Sequence, residues 1–170
     1  MAIHFHNLQI DFKLKNKAKL KSWVKHIAEF EKKTIGTLNY IFTSDEELLQ
    51  KNKQFLNHNT LTDIITFDYC EGNMLDPFHN SQNLYPSYGE GAGRGYKKPN
   101  NEMGLINGDI FISIERVTEN AKKFNAEFIE ELHRVIIHGT LHLCGYKDKT
   151  KATATLMRKK EDWALRKLKL

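Results

Sequence analysis

The sequence predicts a single domain that joins one small four-stranded sheet to about five helices, and three observations carry that expectation. The chain has 170 residues, within the usual span for one domain. Hydrophobic residues make up 40% and charged ones 28%, the balance of a folded globule and not of a disordered chain, a fibre or a membrane bundle. Apolar spacing alternates between the two-residue period of strands and the three-and-four period of helices, with no internal repeat.

Taken in order, Ile3-His4-Phe5-His6 alternates as a half-buried strand does. From Lys15 to Lys33 the apolar residues Leu20, Val24, Ile27 and Phe30 fall on one helical face and lysines coat the other. Gly36 breaks that pattern before a strand from Thr37 to Phe42. Ser44, three residues ahead of Glu47, then places a cap at the start of a second helix that should run to about Phe55. Two more β-rich stretches follow, Thr62 to Tyr69 and Gly108 to Ile114. After Glu115 three helical pieces are expected, about Glu115 to Phe124, Ala126 to Cys144 and Thr150 to Leu168.

Between the last two strands, residues 72–107 hold all three prolines and six of the ten glycines, so no core can be built from them. The expectation is one domain over 1–170 with a surface insertion at 72–107. Tyr85, Tyr88, Arg94, Tyr96, Lys97 and Lys98 within it are a mixture able to stack on and neutralise single-stranded nucleic acid, or incidental loop residues. Gly91 to Gly95 lacks the preceding strand and following helix that a phosphate-cradling loop needs.

Charge is uneven along the chain. Residues 1–35 carry eight Lys/Arg against three Asp/Glu, residues 36–146 nine against fifteen, and residues 147–170 nine against three. The net +5 is therefore two basic ends around an acidic middle, and the ends form one cationic face if they pack together or two solvated helices if they do not. Cys70 and Cys144 are too few and too far apart for a disulfide framework or a Cys-x-x-Cys site, and read as buried small hydrophobes in a reducing compartment. The start, Met1 to Phe5, has no basic stretch followed by an apolar one, and no window approaches the ~18 apolar residues of a membrane span. A soluble cytoplasmic protein, with no membrane partner, is expected.

The chemistry lies in the run from His138 to Asp148, His-Gly-Thr-Leu-His-Leu-Cys-Gly-Tyr-Lys-Asp. On a helix, positions four apart project about 40° from each other and stand one turn, ~6 Å, apart, so both imidazoles reach one metal ion. Ile129, Leu132, Ile136 and Leu143 cluster on the opposite face, which buries the helix and leaves its polar residues in need of partners. Cys144 points at neither histidine. Gly145 suits a left-handed helix stop, and a chain reversed there can return Asp148 to the histidines. Two nitrogens and one carboxylate oxygen leave a fourth position for water, the arrangement of a catalytic zinc site. Gly139 stands where zinc proteases of the His-Glu-x-x-His type keep their general base, which disfavours peptide hydrolysis by that route. A mid-helix glycine costs ~1 kcal/mol against alanine, so it serves either clearance for a substrate or close helix packing.

This run resembles the signature of the YbeY family of metal-dependent endoribonucleases, His-Gly-x-Leu-His-Leu-x-Gly-Tyr-Asp-His, at His138, Gly139, Leu141, His142, Leu143, Gly145 and Tyr146. Thr62-Asp63-Ile64-Ile65-Thr66-Phe67 is similar to the family's Thr-Asp-Val-Leu-Ser-Phe strand, and Gly108 to Ser113 lies in the expected place. The resemblance implies an α+β fold with a mixed sheet and a central zincin-like metal helix. It also implies hydrolysis of phosphodiester bonds in single-stranded RNA, in maturing and monitoring bacterial ribosomal RNA. His138, His142 and Asp148 would hold one metal, which would lower the pKa of a bound water and polarise a phosphoryl oxygen, with attack by that water or by a ribose 2′-OH both open. By position, Lys147 and Lys149 beside the third ligand and Arg134 one turn before His138 either hold phosphates by charge or are solvated cations.

Three departures qualify this. The family's third ligand is normally histidine; the harder, anionic Asp148 keeps Zn²⁺ as first choice but makes Mn²⁺ or Fe²⁺ more plausible. The family's arginine ahead of the Thr-Asp strand is missing from Phe55 to Leu61, where His58 could take over part of its role. The 72–107 insertion is long for the family. Two other readings stay open: a non-catalytic ribosome-assembly factor with a structural metal, and a metal enzyme of another class, such as a non-haem iron oxygenase with a facial triad, whose usual β-barrel the strand count does not support.

Overall fold

The structure, a computed structural model, describes residues 1–70 and 104–168. In chain order the elements are β1 (Ala2–Asn7), α1 (Lys17–Phe30), β2 (Lys33–Thr43), α2 (Asp45–Leu56), β3 (Ile64–Asp68), β4 (Gly104–Ser113), α3 (Ile114–Lys123), α4 (Phe128–Leu143) and α5 (Lys151–Lys167). The four strands form one sheet in the order β1-β2-β4-β3. β1 and β4 run parallel to β2, whereas β3 runs antiparallel to β4, with Ile64 opposite Ile112 and Asp68 opposite Gly108. The expected α+β class and mixed sheet are both present.

Side-chain alternation along the strands builds a core on each face of the sheet. The larger one joins Leu38, Tyr40, Ile106, Ile110 and Ile112 to the apolar faces of α1, α4 and α5, including Leu20, Val24, Ile27, Leu132, Ile136 and Met157. The smaller one, Ile41, Ile65, Phe67 and Phe111, is covered by Leu48 and Phe55 of α2. Two buried polar pairs cross the larger core: the Tyr40 hydroxyl meets Thr140 Oγ1 at 2.7 Å, and Trp23 Nε1 donates to the Ala164 carbonyl at 2.8 Å.

Several boundaries differ from expectation. Gly104 to Asn107, assigned above to the insertion, are the first residues of β4, and Gly104, Leu105 and Ile106 pair with Lys33, Thr34 and Ile35. Two apolar residues, Leu105 and Ile106, were too short a signal beside so many glycines. α1 stops at Phe30, and Lys33 already belongs to β2. Gly36 lies inside β2, where the register shifts between Ile35 and Leu38, and a side chain there would run into Asn107. Ile114 opens α3, because Ser113 caps that helix by accepting from Arg116 N at 3.1 Å. The expected cap at Ser44 is present, accepting from Glu47 N at 3.3 Å. Ile129 is 42% exposed, one turn before the buried part of α4, and so is not a core residue. Tyr85 to Lys98 lie outside the described residues.

The basic ends do pack together. Phe30 at the end of α1 lies 4.1 Å, ring to ring, from Trp163 of α5, and Lys160 donates to Glu31 at 2.8 Å. Lys17, Lys21 and Lys25 on α1 and Lys151, Lys159 and Lys167 on α5 stay exposed.

Gly139 is explained by close packing. α4 lies against β3 and β4, and a Cβ at Gly139 would stand 2.7 Å from Ile110 Cγ2 and 2.8 Å from Ile64 Cδ1. The glycine backs onto the sheet and offers no substrate clearance. Gly139→Ala is expected to lower stability by roughly 1 kcal/mol or more, because overpacking outweighs the gain in helix propensity. A lower urea midpoint with an unchanged slope checks it, and a raised midpoint would show slack that the packing denies.

Candidate metal centre

α4 carries His138 and His142 on one stripe, and the chain reversal after it delivers the third group. Gly145 adopts φ +104, the left-handed region that glycine tolerates best. Its N–H donates to the His142 carbonyl at 2.9 Å and Tyr146 N to the Leu141 carbonyl at 3.0 Å. These are the paired bonds of a Schellman stop. Tyr146 then anchors the turn, its hydroxyl donating to Glu31 at 2.7 Å. Two residues later Asp148 Oδ2 stands 3.5 Å from His138 Nε2 and 3.7 Å from His142 Nε2. One donor atom from each of these three residues lies within 4.8 Å of the others.

The far ring nitrogens fix the orientation of both imidazoles. His138 Nδ1 is 2.7 Å from Glu161 Oε1, and His142 Nδ1 is 3.0 Å from the Tyr146 carbonyl. Both partners only accept when Glu161 is ionised, so each Nδ1 carries the hydrogen and each Nε2 presents a lone pair. The two Nε2 atoms face each other at 2.9 Å. Two lone pairs at that distance repel unless a cation or a proton stands between them. Nitrogen and oxygen ligands of a tetrahedral Zn²⁺, each about 2.0–2.1 Å from the ion, are themselves ~3.3 Å apart. The donor set therefore fits a divalent metal, and the carboxylate–histidine contact through Glu161 is the outer-sphere support such sites use.

Electrostatics agree. Burial alone would depress His138, but the hydrogen bond and charge of Glu161, with Asp148 and Asp63 adding, carry its pKa above the ordinary histidine value. Burial and then the neighbouring His138 push His142 below it. His138 is therefore the more readily protonated of the two. Burial would raise Glu161, yet His138, Arg134 and Arg158 together hold it below the usual carboxylate range.

Of the other expected site residues, Arg134 lies one turn before His138 but donates to Glu161 at 3.1 Å and Asp162 at 2.7 Å, so its charge is engaged within the protein. Lys147 and Lys149 flank Asp148 and are exposed. His58 is exposed beyond the end of α2, its backbone N–H donating to the Asn52 carbonyl at 3.2 Å, and no contact among the described residues links it to the histidines. Cys144 is buried, and burial pushes its thiol up to about 12, which keeps it a protonated core residue. Cys70 is half-buried, not the core residue expected.

Sequence reasoning missed Glu161, a carboxylate 5% exposed that touches His138, Arg134 and Arg158. Its only trace in the sequence is an acidic pair, Glu161-Asp162, inside a basic helix. It also missed the cleft beside His138, whose walls include Asp63, Asn120, Glu131 and Arg158.

Comparison with known proteins agrees with the motif. The family model described as Endoribonuclease YbeY matches residues 3–169. Endoribonuclease YbeY of Flavobacterium johnsoniae is 44% identical over 156 residues, 92% of this chain and 90% of that protein. The protein of the same name from Cytophaga hutchinsonii is 42% identical over 163 residues, 96% of this chain and 93% of its own length. That of Bacteroides fragilis is 39% identical over 165 residues, covering 97% and 96%. Among solved structures, the solution structure of TM1509 from Thermotoga maritima shares the fold, with a TM-score of 0.53 at 24% identity over 98% of this chain and 88% of that one. With the metal-helix signature in place, the family match over nearly the whole length means that this chain belongs to the Endoribonuclease YbeY family.

Proposed function

We propose that the chain is a metal-dependent endoribonuclease that hydrolyses single-stranded RNA, with ribosomal RNA as its substrate in the cytoplasm. Two Nε2 lone pairs facing each other at 2.9 Å beside a carboxylate, both rings locked from behind, carry this reading. The name borne by its relatives supplies the reaction class. Among the described residues, no helix is long and apolar enough to cross a membrane.

His138, His142 and Asp148 would hold the ion, Zn²⁺ first, with Mn²⁺ or Fe²⁺ suited to the carboxylate. When bound, the ion polarises a phosphoryl oxygen and brings the pKa of a coordinated water toward neutrality. The protein's own part is to orient. Glu161 and the Tyr146 carbonyl keep the Nδ1 hydrogens in place, and the Tyr146–Glu31–Lys160 clamp holds the Asp148 turn against α1 and α5. Lys147 and Lys149 stand where an RNA backbone approaching Asp148 would meet them, and the joined basic surfaces of α1 and α5 extend that field.

The purified protein, reloaded with each of the three metals in turn, should cleave a single-stranded RNA oligonucleotide and should stop when a chelator is added. Asp148→Ala should lose most of this activity while keeping its fold. A protein that binds ribosomal RNA in a salt-dependent way but never cleaves it with any metal would instead be an assembly factor.

A further inference from the structure

The cleft beside His138 has a volume of about 250 Å³, just below the range of small-molecule pockets, so it suits one planar group and no more. One of its walls is Glu131, 6% exposed. Neither a hydrogen bond nor an ion pair engages this carboxyl among the described residues. The side chain is buried but its carboxyl oxygens are not, so they remain open to the cleft, where a ligand's donors can reach them. Burial, with Asp63 and Glu161 adding and Arg134 and Arg158 opposing, raises its pKa.

Position and charge narrow what those donors belong to. Glu131 stands seven residues before His138, which returns it to the same face of α4 at roughly 10 Å along the axis. That is about the span from a backbone phosphate to the far edge of its own base. The cleft holds three carboxylates, Asp63, Glu131 and Glu161, and both of its guanidiniums, Arg134 and Arg158, are bound to Glu161. A phosphate would be repelled there; a neutral base would not. Phe124, 54% exposed and with Lys123 Nζ 5.5 Å from its ring centroid, lines the same cleft. Single-stranded RNA is read by this combination, an aromatic platform with hydrogen bonds to the base edge. A carboxylate is all acceptor, and among the RNA bases only guanine presents two adjacent donors on its pairing edge, N1–H and the N2 amino group.

We propose that this cleft is a guanine-recognition subsite beside the scissile bond, with Glu131 as its specificity-determining residue. This rests on the endoribonuclease reading for its biological meaning but not for its test. Guanosine 5′-monophosphate and adenosine 5′-monophosphate are titrated by calorimetry into the metal-loaded protein and into Glu131→Gln. The parent should prefer the guanine nucleotide by roughly 5- to 150-fold, the discrimination of one bidentate contact, and the variant should lose that preference. Phe124→Ala, at an exposed position, should weaken both nucleotides and preserves a test if the first variant does not fold. Equal binding of the two nucleotides by the parent overturns the subsite, as does a preference that survives in Glu131→Gln. In parallel, oligonucleotides with one guanine are cut and mapped. Cleavage clustered at that guanine supports the proposal. Cleavage without base preference removes the subsite and leaves the nuclease, whereas no cleavage removes the nuclease and leaves the titration to decide the subsite.

Discussion

His138→Ala is expected to purify without stoichiometric metal and to cleave RNA on the order of 10³-fold more slowly, or less. The ion is asked to supply several kcal/mol of charge stabilisation, and each ~1.4 kcal/mol is a factor of ten in rate. The variant should still fold. His138 is partly exposed, and Glu161 keeps Arg134 at 3.1 Å and Arg158 at 3.2 Å when the imidazole is gone. Elemental analysis after gel filtration, with a cleavage time course, decides it. A variant that retains both metal and parental rate would show that the histidine pair is not the centre of the chemistry.

The second large effect is expected at Glu161, which touches no substrate and acts through His138. Glu161→Ala removes the acceptor that holds Nδ1–H, frees the ring to rotate and makes its Nε2 a weaker donor. Metal affinity should fall about 10- to 100-fold, the usual loss when such a supporting carboxylate is removed. Glu161→Gln keeps an acceptor without the charge and should fall between parent and alanine variant. Removing this acceptor from two guanidiniums should also cost about 1–3 kcal/mol of stability. Competition against a chelator reads the affinity, and urea unfolding of the metal-free protein reads the stability. Equal metal affinity in all three proteins would reduce Glu161 to a structural ion pair.

The difference between these two residues is also the difference in what the sequence made visible. His138 and His142 announce themselves because a four-residue spacing on a helix is a local geometric fact. Asp148 follows from Gly145, since a left-handed stop reverses the chain over a few residues, and its Schellman bonds are likewise local. Glu161 reaches the histidine from another helix, 23 positions along the chain, and nothing within a helical turn of either residue encodes that meeting. Glu131 was closer to legible: it shares the histidine face of α4 at a seven-residue interval, but without the cleft it reads as one more surface acid.

The same division runs through the fold. Strand and helix periods placed every element and the expected cap at Ser44 fixes where α2 begins, whereas the cap at Ser113, which puts Ile114 in α3, went unread in the sequence. What only the tertiary structure decided was which surfaces meet. Gly139 could have served a substrate or a neighbour; Ile110 and Ile64 from two strands make it a packing residue. Gly104 to Ile106 looked like loop until Lys33 to Ile35 gave them strand partners. The basic ends could have lain apart, and the Phe30–Trp163 stack joins them. Residue spacing by itself determines contacts within a turn, because helix and strand geometry are the same in every protein. Contacts between elements depend on how whole faces are buried, a balance set by the entire chain at once.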